Sequence, residues 1–124
     1  MPTPISTEKA PAAVGPYSQG MISGNMVFTS GQLPIVAETG IMPETIEEQA
    51  KASLENVKAV LEAAGSSMGR VVKTSVFLKN ITDFAAVNEV YATYFGEPFP
   101  ARSCFEVSCL PKDALVEIEV IAEK

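Results

Sequence analysis

Pro100-Ala101-Arg102-Ser103-Cys104-Phe105-Glu106-Val107, followed after Leu110-Pro111-Lys112-Asp113 by Val116-Glu117-Ile118-Glu119-Val120, sets the architecture of this chain. Both runs are rich in apolar and β-branched residues, and the segment between them has turn composition, so two strands are expected. Alternate residues of a strand share a face. Arg102, Cys104 and Glu106 therefore point one way, and Ala101, Ser103, Phe105 and Val107 the other. In the second run Glu117, Glu119 and Ile121 oppose Val116, Ile118 and Val120. The pattern predicts that Arg102 and Glu117 meet across the sheet, as an anion clamp beside a proton-handling group.

Upstream, strands and helices alternate. Gly15 to Ile22 and Met26 to Ser30 read as two short strands joined by a hairpin turn at Ser23-Gly24-Asn25. Thr45-Ile46-Glu47-Glu48 fits a capping box, with Thr45 as N-cap and Glu48 at N3. Ile46, Ala50, Leu54, Val57, Leu61 and Ala64 then recur at helical spacing until Gly65 supplies a stop. Val71 to Lys79 alternates as a strand, with Val72, Thr74, Val76 and Leu78 on one side. A second helix is expected from Thr82-Asp83 to about Gly96, with Phe84, Val87, Val90, Tyr91 and Tyr94 on its apolar stripe. The order is β-β-α-β-α-β-β, an α+β domain spanning residues 1–124, with a mixed sheet and both helices on one face. The second sheet face should retain apolar surface for contact between subunits.

Composition narrows the chemistry. The chain has 124 residues, 47% of them apolar and 19% charged, as expected of one globular domain. Its net charge of −6 and its scattered basic residues disfavour nucleic acid and anionic membranes as partners. No basic stretch followed by an apolar run opens the sequence, so no signal peptide is expected, and no apolar window is long enough for a membrane span. Cys104 and Cys109, if extended, stand about 16 Å apart, beyond disulfide reach. A reducing, cytoplasmic setting is expected.

Histidine is absent, so a Ser-His-Asp or Cys-His arrangement cannot be built. No metal site is expected from the spacing of the Cys, Asp and Glu residues, and no Gly-rich phosphate loop occurs. What remains is arginine, glutamate, hydroxyls and backbone donors. Such a set can grip a small carboxylate and deliver water to a reactive carbon without a cofactor. Cys104 would act as a nucleophile only if Arg102 lowered its pKa; the competing reading is a half-buried strand residue.

The same closing stretch resembles the signature of the Rid family, the reactive intermediate/imine deaminases of the RidA type. The resemblance extends to Ala10-Pro11-Ala12-Ala13-Val14-Gly15-Pro16-Tyr17-Ser18-Gln19, to Thr29-Ser30-Gly31-Gln32-Leu33-Pro34, to Gln49 through Gly65, to Val72-Lys73-Thr74, and to Asp83-Phe84 with Val87-Asn88. It implies a chorismate-mutase-like fold, a homotrimer with active sites between subunits, and no cofactor. It also implies hydrolysis of 2-imino acids and their enamine tautomers, such as 2-aminoacrylate, to 2-keto acids and ammonium. By the same resemblance Arg102 binds the substrate carboxylate and Glu117 activates or orients the attacking water. Tyr17, Ser30, Asn88 and Cys104 line the pocket, and Gly31 offers a backbone N–H. Glu119 shares the Glu117 face and competes for its role. The connection Phe95-Gly96-Glu97-Pro98-Phe99-Pro100 looks a few residues shorter than in some relatives, which would reshape the cleft rim. A regulatory protein that binds a keto acid or amino acid without chemistry would use the same arginine. Ribonuclease or translation-inhibitor activity, described for some relatives, fits the acidic charge and missing histidine poorly.

Overall fold

The computed structural model describes residues Met1–Lys124. Its strands are β1 (Thr3–Ile5), β2 (Gly20–Ser23), β3 (Met26–Thr29), β4 (Val71–Leu78), β5 (Ala101–Glu106) and β6 (Val116–Glu123). The helices are α1 (Ile46–Ala63) and α2 (Phe84–Tyr91). One six-stranded sheet has the order β1-β2-β3-β6-β4-β5. All neighbours are antiparallel except β4 and β5, whose parallel pairing is linked through α2.

The α+β class and the layer of two helices on one face are as the sequence implies. α1 places Leu54, Val57, Val60 and Leu61 against Val27, Val76, Leu78, Ile118 and Val120, all fully or almost fully buried. Burying each such side chain stabilises the fold by about 1.5–3 kcal/mol before entropy is counted. The capping box forms as expected. Thr45 Oγ1 accepts from the Glu48 N–H at 3.2 Å, and its hydroxyl donates to Glu48 Oε1 at 3.0 Å. At the other end Gly65, with φ +83°, turns the chain back. Its N–H donates to Glu62 O, and the Ser66 N–H donates to Leu61 O, which satisfies two end carbonyls in a Schellman arrangement.

Four details differ from the sequence expectation. Thr3–Ile5 forms an additional edge strand on β2, so the order begins with three strands. The strand expected from Gly15 begins only at Gly20, because Gly15 sits at φ +143° and Pro16 has no N–H to give a ladder. α2 is shorter than its apolar stripe, being flanked by a 3₁₀ turn at Ile81–Asp83 and by turns after Tyr91. A bulge between Val71 and Lys73 buries Val71 and leaves Val72 exposed, the reverse of simple alternation.

Residues paired across strands lie on one face. Arg102 pairs with Thr74, which pairs with Val120, while Cys104 pairs with Val76, which pairs with Ile118. Thr74, Val76, Ile118 and Val120 are buried under the helices, so Arg102 and Cys104 belong to the helix side. Phe105 pairs with Phe77, which pairs with Glu117, and Ser103 with Ser75 and Glu119. These occupy the opposite, uncovered face. In the same layer Met21, Phe28 and Ile121 form one row, and Phe28 and Phe105 are 41% and 56% exposed. The apolar residues of the two closing strands therefore divide between the core and this open face.

Candidate active site

α2 and β5 bring together one group of the candidate residues. Phe84, Asn88 and Tyr91 fall at i, i+4 and i+7 of α2, one stripe along the edge strand. Arg102 lies along that stripe. Its Nη1 donates to Asn88 Oδ1 at 2.7 Å. The guanidinium carbon lies 5.3 Å from the Phe84 ring centre and 4.9 Å from that of Tyr91. Cys104, two residues on, sits beside the same group. Burial pushes its thiol pKa up, and the opposing influence of Arg102 does not overcome this. The neutral thiol is a poor nucleophile at neutral pH.

The turn after β3 and the start of β6 bring together a second group. Ser30 donates its N–H to Gln19 O at 2.9 Å and its hydroxyl to Ser18 O at 2.6 Å. Gln32 exchanges backbone bonds with Ile118, at 2.8 and 3.3 Å, which clamps residues 30–32 onto β6. α1 fixes the segment from behind: Ser53 Oγ donates to Gln32 O, and Asn56 Nδ2 donates to Leu33 O and Ile35 O. Gly31 lies directly against Glu117. A Cβ built on Gly31 would overlap the carboxylate, with Glu117 Cδ only 2.7 Å away. Burial raises the Glu117 pKa above its usual 4.5, and the neighbouring charge of Glu119 raises it further.

Tyr17 is exposed on the loop beside Ser18, its N–H bonded to Gly15 O. Gln19 holds that loop. Its Nε2 faces the carbonyls of Thr7, Ala10 and Pro11, and its Oε1 accepts from the Thr7 N–H. Sequence reasoning placed Gln19 inside a strand and missed this role. Its place at the end of the Ala10–Gln19 run that carries the resemblance was the only sequence signal for it.

Arg102, Asn88 and Cys104 are thus brought together, as are Ser30, Gly31 and Glu117. The expected meeting of Arg102 with Glu117 across the sheet does not occur in one chain. β4 lies between β5 and β6, and the two residues project from opposite faces. Strand alternation correctly grouped residues within each strand but carried no information on which strands are neighbours. Neither group is enclosed by the chain itself. A surface hollow of about 670 Å³ runs along the outer side of α1 between Glu55, Glu62 and the Val36–Glu38 segment, away from both. No group of three or more Cys, Asp and Glu side chains is arranged to hold a metal ion.

A family model described as endoribonuclease L-PSP matches residues 7–124. The 2-iminobutanoate/2-iminopropanoate deaminase of Escherichia coli is 55% identical over 121 residues, covering 95% of this chain and 94% of the relative. The crystal structure of E. coli TdcF with bound serine superposes with a TM-score of 0.94 at 50% identity, covering 98% of both chains. RidA from the Antarctic bacterium Psychrobacter superposes with a TM-score of 0.95 at 48% identity, covering 98% of this chain and 99% of that one. With matches of this length, the chain belongs to the Rid family.

Proposed function

We propose that this protein hydrolyses 2-imino acids and their enamine tautomers, 2-aminoacrylate among them, to 2-keto acids and ammonium. The observation that carries the reading is the 55% identity, over 95% of the chain, to a relative named 2-iminobutanoate/2-iminopropanoate deaminase. In this reading Arg102 takes the substrate carboxylate with the N–H groups that Asn88 leaves free. Glu117, seated on Gly31, holds the attacking water and accepts one of its protons. The oxygen bonds to the iminium carbon to give a carbinolamine. Proton transfer to nitrogen lets the C–N bond break, releasing ammonia and leaving the keto acid. Imines of this type hydrolyse unaided in water, so orientation and modest proton handling suffice, and no cofactor is invoked. Tyr17, Ser30 and the neutral Cys104 serve as pocket walls.

The site is completed between copies of the chain in a homotrimer. Two observations support this. Arg102 and Glu117 face away from each other within one chain, and the open sheet face exposes Phe28 and Phe105. The free cysteines suit a cytoplasmic setting. The ribonuclease description of the family is less favoured here, because a net charge of −6 opposes a polyanionic substrate.

The test couples the protein to a pyridoxal-phosphate-dependent serine or threonine dehydratase and follows keto-acid formation from nascent imine. Arg102→Ala is expected to lose the acceleration over unaided hydrolysis while keeping the oligomer. An unchanged rate in that variant contradicts the assignment.

A further inference from the structure

We propose that Tyr91 is a positioning residue that orients the Arg102 guanidinium toward the substrate carboxylate; this rests on the carboxylate-binding role assigned to Arg102 above. Arg102 stands on an edge strand with its side chain exposed. A long, exposed arginine samples many rotamers, and a substrate that must freeze them binds more weakly. Here the guanidinium carbon sits 4.9 Å from the centre of the Tyr91 ring, within cation–π range.

The ring itself is fixed. Tyr91 is only 6% exposed, its hydroxyl lies 2.8 Å from Thr74 Oγ1, and its ring contacts Phe95 at 4.5 Å between centres. Thr74 is completely buried and is the strand partner of Arg102 in the β4–β5 register. One position of the sheet therefore carries both the arginine backbone and the anchor of the ring that supports its head. Asn88 Oδ1 takes a guanidinium N–H from the same helix stripe, so the ring and the amide together restrict the guanidinium. Burial and packing against Phe95 hold the ring face under the guanidinium, while the Tyr91–Thr74 hydrogen bond satisfies two buried hydroxyls.

The readout is the dissociation constant for 2-oxobutanoate, a 2-keto acid product, measured by calorimetry on the intact oligomer, with KM and kcat measured in parallel. Tyr91→Met and Tyr91→Leu remove the aromatic face with different shapes, while Tyr91→Phe keeps it. Both non-aromatic variants should weaken 2-oxobutanoate binding and raise KM by about 3- to 30-fold. Tyr91→Phe should stay within about twofold of the unaltered protein, and kcat should change little in all three. Unaltered binding in whichever non-aromatic variant assembles overturns the proposal. A loss in Tyr91→Phe as large as in Tyr91→Met also overturns it, by assigning the effect to packing. If the unaltered protein binds 2-oxobutanoate but hydrolyses no imine, the deaminase reading falls while the binding ratios still decide the role of Tyr91. Absence of 2-oxobutanoate binding in the unaltered protein overturns both.

Discussion

At Glu117, burial and the adjacent Glu119 carboxylate act in the same direction, and both favour the protonated acid. The proposed base is the carboxylate, so activity falls as pH drops through the raised pKa. Glu119→Gln removes the smaller of the two causes and should move this acidic limb of kcat/KM to lower pH. The stability consequence has the opposite sense. A carboxyl whose pKa is raised on folding contributes stability that is complete below its ordinary 4.5 and is lost as pH rises through the folded value. Glu119→Gln should therefore raise the thermal midpoint at neutral pH, and a profile with neither shift would separate the two carboxylates electrostatically. Gly31 offers a second check. A methyl group there displaces the Glu117 carboxylate, so Gly31→Ala should lower kcat by at least about tenfold if the water is held as proposed. A kcat equal to that of the unaltered protein would show that Glu117 needs no such seat. Arg102 and Glu117 were picked out as candidates by residue chemistry and resemblance. The residues that hold the Glu117 segment were not, because Gln19 and Asn56 act through loop carbonyls, and Gln32 through backbone bonds to Ile118, that no spacing rule connects to them.

The elements with strong local signals were read closely. α1 begins and ends where its capping box and glycine place it, because both devices are made by residues adjacent in the chain. Thr45→Ala removes the hydroxyl that accepts from Glu48 N–H and should cost about 1 kcal/mol of stability in denaturant unfolding, with activity unchanged. An unchanged midpoint would mean that tertiary packing alone holds that end. Weak local signals failed for equally physical reasons. Thr3–Ile5 becomes a strand only because the β2 edge is there to pair with it. α2, at eight residues, is too short to be stable alone and takes its limits from α1 and from the flanking turns. The bulge at Val71–Lys73 inverts the alternation that a period of two predicts.

For the molecule as a whole, the class of fold followed from the order of elements, whereas the sheet order did not. Inserting β6 between β3 and β4 puts Glu117 on the open face and leaves Arg102 at the far edge on the helix side. The spare apolar face expected from the pattern exists, and Phe28, Phe77, Phe105 and Ile121 form it, while Val116, Ile118 and Val120 are buried in the core. If each site takes Arg102 from one copy and Glu117 from the next, two inactive variants can complement each other. Arg102→Ala and Glu117→Gln protein, unfolded and reassembled together in equal amounts, should regain about one quarter of the unaltered activity, since one interface in four receives both intact residues in a randomly mixed ring. Imine hydrolysis by the mixture remaining at the level of the separate variants, with mixed trimers verified by mass, would contradict a site shared between subunits.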